Sequence, residues 1–186
     1  SRACALETGS DGSPLLIADS GASWNTLVDM AAAHTLWGIE NLAGIPGSAG
    51  GALVQNIGAY GVEFANVFHH ADVFDFATGI ERRIEREEAA LGYRTSVFKQ
   101  CPNLAILRIA LALSSESHPV LAYPDLVRAH AAGVPLTTPR EIAAAVRDIR
   151  AEKFPAHGEG TAGSFFKNPT VAREVAVALE MRYPTL

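Results

Sequence analysis

The chain has 186 residues, 48% hydrophobic and 19% charged, with a formal net charge of -5 at pH 7. That balance excludes a global basic field for nucleic acid or an anionic membrane surface, so an anionic ligand must be met by local cations and backbone amides. Cys4 and Cys101 have neither metal-ligand nor disulfide-framework spacing, and the six histidines show no ligand pattern. No metal is expected, and a reducing cytoplasm is the natural compartment. No apolar run approaches the ~20 residues of a membrane span, and no basic-then-apolar leader opens the chain. The first residue is Ser1 rather than Met, and the last four follow directly on a helical pattern. The reading therefore expects a piece cut at both ends.

In chain order, Leu15-Leu16-Ile17-Ala18 reads as a short buried strand. Ser23 is placed to cap a helix whose Trp24, Leu27, Val28 and Ala31 fall on one face, with Gly38 as its stop. Six glycines between Gly44 and Gly61 rule out one regular element throughout and let backbone approach a ligand closely. Val67 to Phe76 is rich in strand formers, and Thr78-Gly79 turns it into Ile80–Ile84, a hairpin. Leu104 to Leu113 predicts another strand. Thr138-Pro139 opens a helix with Ile142, Ala145, Val146 and Ile149 on one face. A last helix is expected from about Thr170, with Val171, Val175, Ala178 and Leu179 turned inward. Strands first and helices last predict an α+β fold.

The glycine-rich stretch is not a phosphate loop of the Gly-Lys-Ser/Thr kind, and Gly47-Ser48-Ala49-Gly50-Gly51 lacks the spacing of a dinucleotide fingerprint. Successive backbone N–H groups in such turns form an anion-binding concavity that suits a pyrophosphate, and Gln55 and Asn56 add polar side chains. By spacing alone, a set of tight structural turns fits equally well.

The wording of the segment says more. Gly38-Ile39-Glu40-Asn41-Leu42-Ala43-Gly44-Ile45-Pro46-Gly47-Ser48-Ala49-Gly50-Gly51-Ala52, continuing Gln55-Asn56-Ile57-Gly58-Ala59-Tyr60-Gly61-Val62-Glu63, closely resembles the FAD-binding signature of the UDP-N-acetylenolpyruvoylglucosamine reductase (MurB) family. The resemblance implies that Ile45, Pro46, Gly47, Ser48, Gly50, Gly51, Gln55, Asn56, Gly58 and Tyr60 contribute to an FAD site.

Three further segments follow in the family's order. Tyr93-Arg94-Thr95-Ser96-Val97-Phe98-Lys99 resembles its Y-R-x-S-x-F-K motif, in which the arginine stabilises a developing enolate. Leu121-Ala122-Tyr123-Pro124-Asp125-Leu126 resembles the tyrosine loop of the type I branch, which folds over bound substrate. Gly163-Ser164-Phe165-Phe166-Lys167-Asn168-Pro169 resembles the segment around the catalytic serine. The resemblance implies Arg94 and Ser164 as catalytic residues, Ser164 delivering a proton after hydride addition. It implies Tyr93, Tyr123, Lys153 and Asn168 as substrate contacts, the last two at the nucleotide diphosphate. Thr161 departs from the pattern, standing where the family often has Asn.

The expected whole is an α+β chain: residues 1–116 the second part of a vanillyl-alcohol-oxidase-like FAD-binding domain, 117–138 a connecting tyrosine loop, and 139–186 an incomplete substrate-binding domain. The implied activity is NADPH-dependent, FAD-mediated reduction of a UDP-sugar enolpyruvyl ether, with no nucleic-acid or membrane partner. The family's first FAD subdomain should precede residue 1, and a substrate-domain remainder bearing a catalytic glutamate should follow residue 186. Another flavin oxidoreductase of this fold, or a truncated non-catalytic derivative, are the alternatives.

Overall fold

The computed structural model describes residues 3–153 and 167–184. The chain divides into two compact units, Ser1–Pro155 and Ala156–Leu186.

In the first unit, Cys4–Thr8 (β1), Pro14–Asp19 (β2), Phe68–Asp75 (β5), Ile80–Glu85 (β6) and Leu104–Ala112 (β7) make one antiparallel sheet in the order β1-β2-β7-β5-β6. The register sets Leu16 beside Leu111, Ala18 beside Ile109, and Ala71 between Ile109 and Ile84. All of these are buried, so alternation gives the sheet one apolar face. On the opposite face Asp72 sits between two cations: its Oδ1 lies 2.9 Å from Arg83 Nε and its Oδ2 3.3 Å from Arg108 Nη2. The expected hairpin is present, closed where the Asp75 carbonyl accepts from the Gly79 amide at 2.7 Å.

Helices cover the apolar face. Trp24–Ala33 (α1) buries the Trp24, Leu27, Val28 and Ala31 stripe that its spacing anticipated. Its ends depart from the expectation. Ser23 stands at the cap position, but its hydroxyl makes no capping bond; its carbonyl accepts from Thr26, and the residue pairs with Ser48. The helix stops at Ala33, five residues before Gly38, because Thr35 takes a left-handed turn (φ 56°) and the Leu36 amide folds back on the Ala31 carbonyl.

A short 3-10 turn at Glu40–Leu42 leads into the glycine-rich stretch. There Ala49–Gln55 (α2) is helical despite Gly50 and Gly51. The two-residue strands Gly58–Ala59 (β3) and Val62–Glu63 (β4) form a small hairpin after it.

Pro124–Ala131 (α3) is a helix where the sequence was read only as a connecting loop; Pro124 at its start and Asp125 in its first turn are fitting opening residues. Pro139–Lys153 (α4) begins where expected, held by a reciprocal cap: the Glu141 amide donates to Thr138 Oγ1 at 3.2 Å, and the Thr138 amide to Glu141 Oε2 at 3.0 Å. Ile142, Ala145 and Val146 are buried in the same core as Trp24, Leu27 and Leu42. This helix, expected to open a second domain, groups with the first unit, whose boundary falls after Pro155.

In the second unit, Arg173–Arg182 (α5) is the described element. Val171, Val175, Ala178 and Leu179 were expected inward, yet all are exposed. A helical period marks an apolar stripe, but burial needs an apposed element, and the described residues of this unit supply none.

Candidate functional site

The glycine-rich stretch is pinned from below by backbone. The Gly50 amide donates to the Ser20 carbonyl at 2.8 Å and the Ala49 amide to the Ala22 carbonyl at 2.9 Å. A Cβ at residue 50 would stand 2.9 Å from the Ser20 Cβ, so only glycine permits this approach. Asn25 clamps the preceding turn, accepting from the Gly44 amide at 2.7 Å and donating to the Ile45 carbonyl at 3.1 Å. Ser48 caps α2 through its hydroxyl, which accepts from the Gly51 amide at 3.2 Å.

Ala49, Ala52 and Leu53 face the core, while Pro46, Gly47, Gly51 and Gln55 are exposed. Nothing lies within 4 Å of the place where a Gly47 side chain would stand. The result is a strip nearly free of side chains. Lys99 closes its far end, bonding Gln55 Oε1 and, at 2.8 Å, the Arg94 carbonyl.

The Arg94 segment wraps the exit of α2. Asn56 is fully buried in left-handed backbone; its Nδ2 donates to the Gly92 carbonyl at 2.8 Å, and its Oδ1 accepts from the Ala65 amide at 2.9 Å. Arg94 Nη2 donates to the Gly58 carbonyl at 2.7 Å and Nη1 to the Asn56 carbonyl at 3.3 Å. Ser96 Oγ donates to the Val54 carbonyl at 2.8 Å. Among the described residues Arg94 makes no salt bridge, and the Tyr93 ring lies 5.2 Å from its guanidinium carbon. It is a cation fixed by neutral carbonyls, with donors left for another group. Asn56, Tyr60 and Arg94 all have positive φ (42°, 49° and 54°), and strain of this kind gathers where geometry is imposed by function.

A second cluster forms at the tyrosines. Tyr60 is buried and meets Tyr123 edge to face with centroids 5.1 Å apart. Asn41 Nδ2 donates to both the Tyr60 and Val120 carbonyls at 2.8 Å, tying the chain before Tyr123 to the hairpin. Burial pushes the Tyr60 phenol up, against the pull of the Arg150 and Lys153 cations. The Lys153 ammonium is ion-paired with Asp125.

The structure thus brings the glycine-rich residues, Gln55, Asn56, Gly58, Tyr93 and Arg94 together, and separately gathers Tyr60, Tyr123 and Lys153. Ser164 lies outside the described residues, as do Phe154, Pro155 and Thr161. Asn168 is exposed in the second unit, beside Lys167. Sequence reasoning passed over Ser96, Lys99, Asn41 and Asp125, although each stood inside a quoted motif.

Comparisons with known proteins agree with this arrangement. The family described as an FAD binding domain matches residues 10–85. A UDP-N-acetylenolpyruvoylglucosamine reductase of Shigella dysenteriae is 42% identical over 169 residues, which cover 89% of this chain and 48% of that protein. The reductase of the same name from Pseudomonas syringae pv. tomato is 42% identical over 170 residues, 90% of this chain and 50% of that one. The crystal structure of UDP-N-acetylenolpyruvylglucosamine reductase (MurB) from Thermus caldophilus superposes with a TM-score of 0.59 at 28% identity, covering 82% of this chain and 48% of that chain. The chain spans about half the length of the curated relatives it matches. With its glycine-rich strip and its Arg94 clasp, the chain is similar to UDP-N-acetylenolpyruvoylglucosamine reductases along about nine tenths of its own length.

Proposed function

We propose that the protein carrying these residues reduces UDP-N-acetylglucosamine enolpyruvate to UDP-N-acetylmuramate, with FAD as cofactor and NADPH as reductant, in cytoplasmic peptidoglycan precursor synthesis. Cell-wall biogenesis, and through it cell shape and division, would depend on this step. The observation that carries the proposal is Arg94, a guanidinium fixed by two carbonyls at the exit of the glycine-rich helix and salt-bridged to no described residue.

The residues present fit a flat cofactor bearing a diphosphate. Gly47 and Gly51 leave open surface, Gln55 offers a side-chain amide, and the Lys99 ammonium closes one end. FAD, when bound, supplies hydride to the substrate's vinyl carbon. Arg94 then meets the negative charge that develops on the substrate's carboxylate-enolate system; because its backbone and both amino nitrogens are already fixed, it reorganises little. Ser164 delivers the proton that completes the reduction. On the family pattern Lys153 and Asn168 are each read as contacts to the nucleotide diphosphate, Tyr123 folds over bound substrate, and Tyr93 borders the arginine.

The test separates the two half-reactions. A bound-flavin absorbance should bleach on adding NADPH, and Ser164→Ala should leave that bleaching intact while slowing product formation by about 10³-fold. Equal loss of both half-reactions would remove Ser164 from its role. Colourless protein that FAD does not stabilise against heat would count against the flavoenzyme reading itself.

A further inference from the structure

Asp125 makes two ion pairs from a nearly buried position. Its side chain is 8% exposed, while those of its partners Arg128 and Lys153 are 71% and 53% exposed. One carboxylate oxygen goes to each cation. Arg128 is on the same helix, three residues on, whereas Lys153 comes from the last residue of α4, 28 residues away. The carboxylate therefore joins the first turn of α3 to the end of α4, beside a groove of about 480 Å³ that Ile149 and Asp148 help to line.

Three facts give this joint a direction. Asp125 follows Tyr123 by two residues, and Tyr123 rests on Tyr60. Lys153 pairs with Asp125, two residues from Tyr123, and its charge acts on Tyr60. An ammonium has three donors. Asp125 takes one, and the half-exposed lysine keeps the rest for a ligand. A carboxylate this buried is also costly to leave without its cations, so the lysine's four-carbon arm is restrained rather than free.

We propose that Asp125 is a positioning residue: it holds the Lys153 ammonium near the Tyr60–Tyr123 pair so that the diphosphate of a nucleotide ligand meets a cation already in place. This rests on the reading of Lys153 as a diphosphate contact. Asp125 does not touch the ligand; it acts through the lysine, shortening the list of rotamers that binding must freeze out.

The experiment compares UDP with uridine, which lacks the diphosphate, by calorimetric titration of the chain and of Asp125→Asn and Lys153→Met. The wild type should bind UDP more tightly than uridine, and Lys153→Met should erase the difference. Asp125→Asn should weaken UDP by about tenfold, the scale of one charge-assisted hydrogen bond, and leave uridine within about twofold. A second readout concerns the lysine alone. The Lys153 ammonium, followed by NMR with labelled lysine, is held above the ordinary lysine range by its bond to Asp125, and should fall back toward it in Asp125→Asn. Asp125→Asn that binds UDP as well as the wild type, or that loses UDP and uridine alike, overturns the positioning role. A wild type that treats UDP and uridine alike overturns the diphosphate reading of Lys153, and the positioning role with it.

Discussion

Arg94 Nη2 donates to the carbonyl of Gly58 at 2.7 Å, and a methyl group on Gly58 would stand only 2.8 Å from Arg94 Nη1. The bond and the missing side chain are one device: the guanidinium lies over residue 58 because nothing projects from it. Glu63 Cγ, 3.0 Å from the same point, closes the other side. Gly58→Ala should therefore displace Arg94 while leaving α2 in place. Expected is a loss of about 10²-fold in kcat for product formation, the scale of one misplaced charge-stabilising donor, with flavin binding retained. Steady-state kinetics and the flavin spectrum check it; unchanged kcat would separate Arg94 from the reaction.

Asn56 should prove a structural keystone. Alanine there would keep the left-handed strain, strand the Ala65 amide without its partner and remove one of the two donors to the Gly92 carbonyl, leaving the Thr95 amide. Denaturant unfolding should show a loss of about 3 kcal/mol. Asn56→Gly relieves the strain alone and should lose less; a larger loss for glycine than alanine would refute this account.

The cap of α4 gives a smaller, local effect. Thr138→Ala removes the acceptor for the Glu141 amide at 3.2 Å and should cost about 1 kcal/mol in unfolding free energy. Thr138→Ser should recover most of it.

His69 and His70 face each other with Nδ1 atoms 2.8 Å apart, so one of the two nitrogens must accept. Protonating both rings would set two N–H groups head to head. Burial, then the Arg83 charge and the neighbouring His69, lower the His70 pKa, against Asp72 and Glu85. Because the folded pKa lies below the ordinary 6.5, the unfolded chain binds the proton first. The stability from neutral His70 is complete above pH 6.5 and declines as pH falls from there through the folded pKa. His70→Gln should flatten that part of the stability–pH curve; an unchanged slope would sink the assignment.

Much of this architecture was legible because local pattern and tertiary burial agree. The apolar runs Leu15–Ala18 and Val67–Phe76 form strands as read, and the α1 stripe buries the face its spacing marks. What escaped depends on contacts distant in the chain. Six glycines read as turns, yet Ala49–Gln55 is helical because Ser48 caps it and Ser20 seats it. The α5 stripe shows the converse, since periodicity cannot supply the surface that would cover Val175 and Leu179. Of the site, Arg94 and the glycines were readable through ordered motifs. Asp125 was not, because an acidic residue opening a helix looks ordinary until a lysine 28 residues later is found against it.

The strand order β1-β2-β7-β5-β6 also governs how the molecule comes to exist. The two edge hairpins are each local and form from neighbouring residues, but no backbone bond within the sheet joins one to the other. Only β7, the last of these five strands in chain order, lies between β2 and β5 and pairs with both. Isolated two-stranded hairpins are marginal in water, so a nascent chain stopping short of Leu104 carries two loose halves. Because β7 alone joins the two hairpins, the whole span from Cys4 to Ala112 should gain protection against hydrogen exchange together.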